Sequence, residues 1–365
     1  MNAKGDKAMQ LRSDGRARAR YLLRRRALVA SGLCAAALAA ALASGLYAGP
    51  MLSKPRSVRI SKGYGLLYLP LLVMEHERLF EQQAALHGLR GVKVDWVLLD
   101  GGNSVDDAMM AGTLDFAAAG APGFIELWAQ SRGIPNVEVI GISGLSTTSL
   151  ALNTNRPQIA SLGDFTRSDR IAVPGIRTSL SAVVLQMAAS RLLGAENFAR
   201  LDAITVNMPH PQAMRALIRD EGGITAHFTS PPFSMLELRH PNIHRVVNSI
   251  DILGPLTLDV VFAPKRMVDA EPALAAAFIG ALSQANRLIE QDRQKAAAIY
   301  ARVSGLDVSR EDVMQMLAAP QMSFSVEPVQ LMDYVEFLHR VGTIKTKPRT
   351  WNEMFWARSP GLSPA

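Results

Sequence analysis

One cysteine, Cys34, is all that the 365 residues contain, and it lies in an apolar segment near the N-terminus. The body that follows has none, which excludes disulfide scaffolds, thiolate metal sites and cysteine nucleophiles and suits an oxidising compartment. Net charge is equally absent from the body. Residues 1–26 hold nine Lys or Arg against Asp6 and Asp14, which accounts for the whole formal charge of +7, and the remainder carries 30 basic and 30 acidic residues. A body in charge balance gives no electrostatic reason to expect a nucleic-acid partner. With 48% hydrophobic and 19% charged residues the composition is globular, and the length suffices for two domains. No internal repeat of fixed period is evident.

The basic segment runs into ALVASGLCAAALAAALASGLYAG, residues 27–49, which carries no charge. A positive n-region, an apolar h-region and small residues at Ala41, Ala43 and Ala48 describe an export signal over residues 1–48. Cleavage between Ser44 and Gly49 is expected, because the segment is rich in Ala and Gly and poor in the residues that favour stable insertion. Its 23 residues also fit a retained membrane anchor, which is the alternative. Arg25-Arg26 followed by Ala27-Leu28-Val29 resembles a twin-arginine signal.

From Ser57 onward short β-branched runs alternate with helical runs, the pattern of an α/β protein with largely parallel sheets. Strands are expected at residues 57–61, 92–99, 114–120, 137–143, 171–173, 203–207, 223–229 and 243–249, with one long strand at 256–264. Beyond it the character is helical, with one continuous run expected over EPALAAAFIGALSQANRLIEQDRQKAAAIYARV.

The strand-to-helix turns share one chemistry. Gly63-Tyr64-Gly65, Asp100-Gly101-Gly102-Asn103-Ser104, Gly120-Ala121-Pro122-Gly123, Pro174-Gly175 through Ser179, and Thr229-Ser230-Pro231-Pro232 each place Gly, a hydroxyl or an N1 proline at the carboxyl end of a strand, where open α/β sheets bind ligands. Ser104 and Asp107 are spaced as a capping box. In IAVPGIRTSLSAVVLQMAA, residues 171–189, the hydroxyls of Thr178 and Ser179 have two readings. One of them is an N-cap that satisfies first-turn N–H groups, or the junction offers donors and positive potential to an anion.

On these turns the body resembles periplasmic substrate-binding proteins of ABC importers, in the nitrate, sulfonate, taurine and thiamine-precursor group. The most specific pieces are DDAMMAGTLDFAAAGAPGFI, PGIRTSLSAVVLQ and TAHFTSPPFSM. The resemblance implies an α/β, two-lobed fold of periplasmic-binding-protein type II with a ligand cleft between lobes and a helical C-terminal region. Lobe 1 would comprise residues 57–148 plus 258–365 and lobe 2 residues 149–257, with hinge strands near 146–153 and 255–263. Implied ligand contacts are Tyr64, Gly65, Asn103, Gly120 and Ala121 on lobe 1 and Arg177, Thr178, Ser179, Thr229 and Ser230 on lobe 2, with Asp259 on the returning strand meeting an amine or hydroxyl or stabilising the hinge. The implied function is capture of a small anionic solute (a sulfonate, taurine or a nitrate-like ion) by a periplasmic monomer serving an inner-membrane permease and its ATPase, with no cofactor. A pyrimidine thiamine precursor as ligand, or an exported enzyme or sensor lobe on the same fold, is the alternative. Phe124, Trp128 and Phe233 are candidates for a pocket wall, although residues at helical spacing are more often core.

Enzyme readings find little. The pyrimidine-forming enzymes that resemble this group carry a cysteine cluster, which the body lacks. His240 and His244 flank Pro241-Asn242 and read as loop histidines rather than zinc ligands. Thr178 and Ser179 have no base partner visible in sequence, with the separated His210 and His227 left open. Asp106 and Asp107, adjacent on a helix, read as solvated. No catalytic residue and no metal ligand is expected.

Overall fold

The computed structural model describes residues 56–357, so the export segment lies outside the described residues. Strand β1 (Ser57–Lys62) leads through a short turn to helices α1 (Leu69–Glu77) and α2 (Leu79–Leu86), split where Arg78 turns left-handed. Then follow β2 (Lys93–Leu98), α3 (Gly102–Met110), β3 (Ala117–Gly120), α4 (Ala121–Ser131) and the long β4 (Val139–Thr147). Strands β1 and β2 pair in parallel from Ser57 opposite Lys93 to Lys62 opposite Leu98. A bridge between Ile60 and Phe116 joins this pair to β3.

A second sheet begins immediately. It contains β5 (Ala151–Thr154), β6 (Ile171–Val173), β7 (Thr205–Asn207), β8 (Ala226–Thr229) and β9 (His244–Asn248), in the spatial order β7-β6-β8-β5-β9. Helices α5 (Leu180–Leu192), α6 (His210–Arg219), α7 (Phe233–Glu237) and α8 (Ser249–Leu253) connect and cover these strands. The chain then returns to the first sheet as β10 (Thr257–Pro264), which inserts antiparallel between β3 and β4. Five helices follow: α9 (Lys265–Ala270), α10 (Pro272–Gln291), α11 (Arg293–Val303), α12 (Arg310–Leu317) and α13 (Leu331–Arg340).

Both sheets are therefore mixed rather than largely parallel. The strands in and beside the two crossings, β4, β5 and β10, make the antiparallel pairs, because a strand that returns from another sheet enters in the opposite sense. The expected single helix after residue 271 is broken at Asp292, whose non-helical backbone (φ −137°, ψ 71°) ends α10 and whose carboxylate accepts the N–H of Lys295 to cap α11.

The period of two along β10 decides where the core sits. Val260 and Phe262 join one apolar cluster with Phe124, Trp128, Leu152, Val183 and Phe228, which continues from the first sheet into the second. Val261 and Ala263 face the other way, into a cluster with Ile60, Phe80, Phe116 and Phe278 between the first sheet and α1, α2 and α10. A strand buried on both faces reads as a continuous apolar run, and LTLDVVFAP does so except at Asp259. Residues 323–329 lie alongside the crossing: Thr147 and Ser323 exchange backbone bonds at 2.8 and 2.9 Å, and Thr257 N–H donates to the carbonyl of Val329 at 3.0 Å.

Phe116 and Phe278 stack at 4.6 Å, and Phe80 packs edge-on to both at 6.0 Å. All three rings are fully buried. Phe278→Ala is expected to lower unfolding free energy by about 3–5 kcal/mol, the usual cost of an aromatic core truncation, read from urea denaturation followed by circular dichroism.

Candidate ligand-binding site

Turns at the carboxyl ends of strands in both sheets meet at one place. Leu66 N–H donates to the carbonyl of Pro231 at 3.0 Å, and His210 N–H donates to Asp100 Oδ2 at 3.2 Å. Two glycines make the approach possible. A Cβ on Gly101, at φ 81°, would lie 2.3 Å from the carbonyl oxygen of Pro174, and one on Gly120 would lie 2.7 Å from Leu180 Cβ. No larger residue fits either place without moving the two walls apart.

Between these turns lies a cavity of about 50 Å³, room for a few water molecules. One wall comes from Tyr64, Tyr68, Asp100, Gly101, Gly102 and Gly120. Pro174, Ser179, Ser181, His210 and Ser230 supply the other, and Asp259 of β10 closes the junction. Four helices begin on this wall: α3 at Gly102, α4 behind its N-cap Gly120, α5 behind its N-cap Ser179 and α6 at His210. Their first-turn N–H groups and dipoles give the cavity positive potential without any cationic side chain.

Against that stand two carboxylates. Asp259 is 2% exposed; Tyr68 Oη donates to Oδ1 at 3.2 Å and Ser146 Oγ to Oδ2 at 3.4 Å. Burial pushes its carboxyl up to about 7, and those two bonds only partly offset the effect. Burial also raises Asp100, opposed by the backbone N–H groups of His210 and Gly101. Tyr68 is held well above its ordinary value by burial and then by the charge of Asp259.

Of the residues expected from sequence, Tyr64, Gly120, Ser179, Ser230 and Asp259 line the cavity, and Gly65 lies against Pro231 at its edge. Asn103 does not, because α3 already begins at Gly102 with Gly101 as N-cap; the capping box of Ser104 and Asp107 is not formed for the same reason. Ala121 is fully buried in the first turn of α4, and Thr229 is fully buried beside His210. Thr178 Oγ1 turns to the carbonyl of Ile176. Arg177 adopts φ 67°, leaves its side chain 72% exposed and pairs with Asp202 at 3.3 Å, so it supplies no counter-charge to the cavity.

Ser179 answers the question posed by its neighbourhood. Its hydroxyl donates to the carbonyl of Gly175 at 2.7 Å and accepts the N–H of Ala182 at 3.2 Å. The single proton is committed, so the hydroxyl acts as N-cap even though it borders the cavity. Phe124, Trp128 and Phe233 are core. His244 opens β9 and meets the carbonyl of Ile159 at 2.8 Å. Asp106 is not solvated as expected: it is half-buried with one oxygen unpartnered, and burial with the charges of Glu126 and Asp107 brings it to about 7.

Asp100 and His210 also line the cavity, although neither was expected as a ligand contact and His210 was weighed only as a base partner. Asp100 stood in a turn already identified, and His210 follows Met208-Pro209 at the end of β7, a sixth turn of the same kind.

Two facing α/β sheets, crossed twice by the chain and holding a cavity at their strand ends, are the periplasmic-binding-protein fold. Solved structures sharing it include the alkanesulfonate-binding protein SsuA from Xanthomonas axonopodis pv. citri bound to MOPS, with 21% identity over 83% of this chain and 99% of that one at TM-score 0.61. The aliphatic sulphonate binding protein SsuA from Escherichia coli matches at 16% identity, covering 83% of this chain and 98% of that one at TM-score 0.59. The nitrate-binding protein NrtA from Synechocystis PCC 6803 matches at 11% identity, covering 80% and 83% at TM-score 0.61. No family model matches the chain, and no curated protein matches its sequence.

Two expected outcomes follow from the site chemistry. Ser179→Ala lowers unfolding free energy by about 1 kcal/mol, the loss of an N-cap, read from urea denaturation. Asp259→Asn has a pH-dependent effect. Folded protein retains the Asp259 proton up to about 7, whereas the unfolded chain releases it near pH ~4, so wild-type stability falls as pH rises between those values, by at most about 1.4 kcal/mol per pH unit. The variant escapes this. Its melting temperature should match wild type near pH 4 and exceed it increasingly up to pH 7, with no further gain at pH 8.

Proposed function

We propose that the chain is the extracytoplasmic solute-binding component of an ABC importer, and that it is not an enzyme. The observation that carries this reading is the cavity itself: strand-end turns of both sheets enclose it, four helix N-termini open onto it, and two glycines bring the walls together. The alkanesulfonate- and nitrate-binding proteins of the same fold support it.

On this reading residues 57–148 with 258–365 form one lobe and residues 149–257 the other. The hinge strands lie near 146–153 and 255–263, at the two passages between sheets. A cavity this small takes in a solute only if the lobes part, which makes hinge closure the capture step. The protein works as a periplasmic monomer beside an inner-membrane permease and its ATPase, its signal removed. Among the described residues no helix is long and apolar enough to cross a membrane. Against catalysis, Thr178 and Ser179 hydrogen-bond to backbone atoms, and His210 and His227 bond to each other instead.

The solute class follows from the charge balance of the wall. Helix N-termini favour an anionic end. Asp100 and Asp259 favour an N–H-bearing end, which an inorganic anion does not supply. Of sulfonate, taurine and nitrate, taurine alone carries both ends.

Calorimetric titration with taurine, ethanesulfonate and nitrate tests this. Taurine is expected to bind at least about tenfold more tightly than ethanesulfonate, the worth of a charge-assisted hydrogen bond, and small-angle scattering should show compaction. Taurine affinity should fall below pH 7 as Asp259 takes up its proton. Equal affinities for ethanesulfonate and taurine would remove the amine from the reading. An aminopyrimidine binding where taurine does not would favour the thiamine-precursor alternative. Binding without compaction would remove the hinge.

A further inference from the structure

Behind the cavity wall formed by the second sheet, three titratable side chains stand in line. His210 opens α6 and borders the cavity; its Nδ1 lies 2.8 Å from Nε2 of His227 and 3.1 Å from Thr229 Oγ1. His227, on β8 and fully buried, places its own Nδ1 2.5 Å from Glu237 Oε1. Glu237, the last residue of α7 and also fully buried, accepts Asn153 Nδ2 on its second oxygen at 2.8 Å. That same amide donates to the carbonyl of Ser234 at 2.8 Å, which fixes its orientation. The ring of His210 rests on Phe233 at 5.5 Å, nearly parallel.

Proton positions along this line follow from charge. A carboxylate buried with no counter-charge is strongly disfavoured, and His227 is the one basic side chain that reaches Glu237 among the described residues. Charge balance with the Glu237 carboxylate calls for protons on both His227 nitrogens, Nδ1–H directed to Glu237 and Nε2–H to Nδ1 of His210. Burial, and then the charge of His227, hold His210 well below its ordinary value, so this second ring is neutral. With Nδ1 accepting, its one ring proton sits on Nε2, the nitrogen that has no protein partner among the described residues. The opposite assignment, with the proton on His210 Nδ1, requires a neutral His227 and leaves the Glu237 carboxylate hydrogen-bonded to His227 and Asn153 but without a counter-charge. The other titratable groups around His210 are Asp100, which accepts its backbone N–H, and Asp259 and Tyr68 on the cavity wall.

We propose that Glu237 and His227 are positioning residues that hold His210 as an Nε2–H donor to the solute, making His210 a specificity-determining residue for a hydrogen-bond-accepting group such as a sulfonate oxygen. This rests on the solute-binding reading for its recognition half, whereas the tautomer stands by itself. The line runs from carboxylate to imidazolium to neutral imidazole, and each member sets the proton of the next. No proton needs to move on binding, so His210 offers its donor in advance.

Ring nitrogen shifts of the 15N-histidine-labelled protein test the proposal without any solute, with signals assigned by His210→Gln. At pH 7 wild type should show both His227 nitrogens protonated, Nδ1 of His210 bare and Nε2 of His210 protonated. In Glu237→Gln the charge that holds the second proton on His227 is gone; His227 keeps Nδ1–H toward the new amide oxygen, and the His210 proton should shift to Nδ1. A wild-type His210 protonated on Nδ1 overturns the proposal even if the variant fails to fold, and so does a His210 pattern unchanged by Glu237→Gln. Taurine is the probe for recognition: its affinity should drop at least about fivefold in Glu237→Gln, the worth of one hydrogen bond. Equal affinity in wild type and variant overturns the recognition half. If taurine binds neither protein, the solute reading above fails, while the spectra still decide the tautomer.

Discussion

The structure depends on β10 being buried on both faces while carrying one carboxylate. Val260 and Phe262 secure it to the core that continues into the second sheet, and Val261 and Ala263 to the core under α10. A strand clamped in this way has little freedom to tilt, so Asp259 is held where the chain crosses between sheets. The same clamping removes water from the carboxyl and raises its proton affinity. One piece of packing therefore fixes both the position and the charge state of the group that closes the cavity.

The facing walls obey a different constraint, backbone against backbone. Gly101 meets the carbonyl of Pro174 and Gly120 meets Leu180, at distances that leave no room for a Cβ. Because these contacts run through glycine, the polar groups that border the cavity, Asp100, Ser181 and His210, converge without side chains holding the walls apart. Hydrogen bonds across the cavity itself run from Leu66 to Pro231 and from His210 to Asp100, and away from it Arg340 bonds to Ser190 and Arg239 pairs with Asp312. Each such bond contributes only about 1 kcal/mol net, so the approach of the walls rests on the glycine contacts more than on polar links.

Much of this was legible in the sequence, and the exceptions have identifiable causes. β10 was visible as a long apolar run because both its faces are buried, and all five turns lie at strand ends because Gly, Pro and hydroxyl residues are required there. Which residue of a turn faces the cavity was not legible. Asn103 was expected and Asp100 found, because α3 begins one residue before Asn103. Arg177 was expected at the ligand, but its positive φ carries the side chain outward to Asp202; a non-glycine residue in that conformation leaves no mark on composition. The break at Asp292 escaped because neither Gly nor Pro announces it.

The line of Glu237, His227 and His210 was invisible for a topological reason. Its members come from α7, β8 and α6, and they meet only because β6 pairs in parallel with β7 on one side and β8 on the other. Parallel pairing sets the carboxyl ends of β7 and β8 on the same rim, so the turn leading to His210 and the strand bearing His227 converge there. His227 faces away from the cavity toward Glu237, and His210 faces the cavity. The sheet thus places the buried Glu237–His227 pair directly behind a half-buried side chain that borders the cavity opposite Asp100 and Asp259.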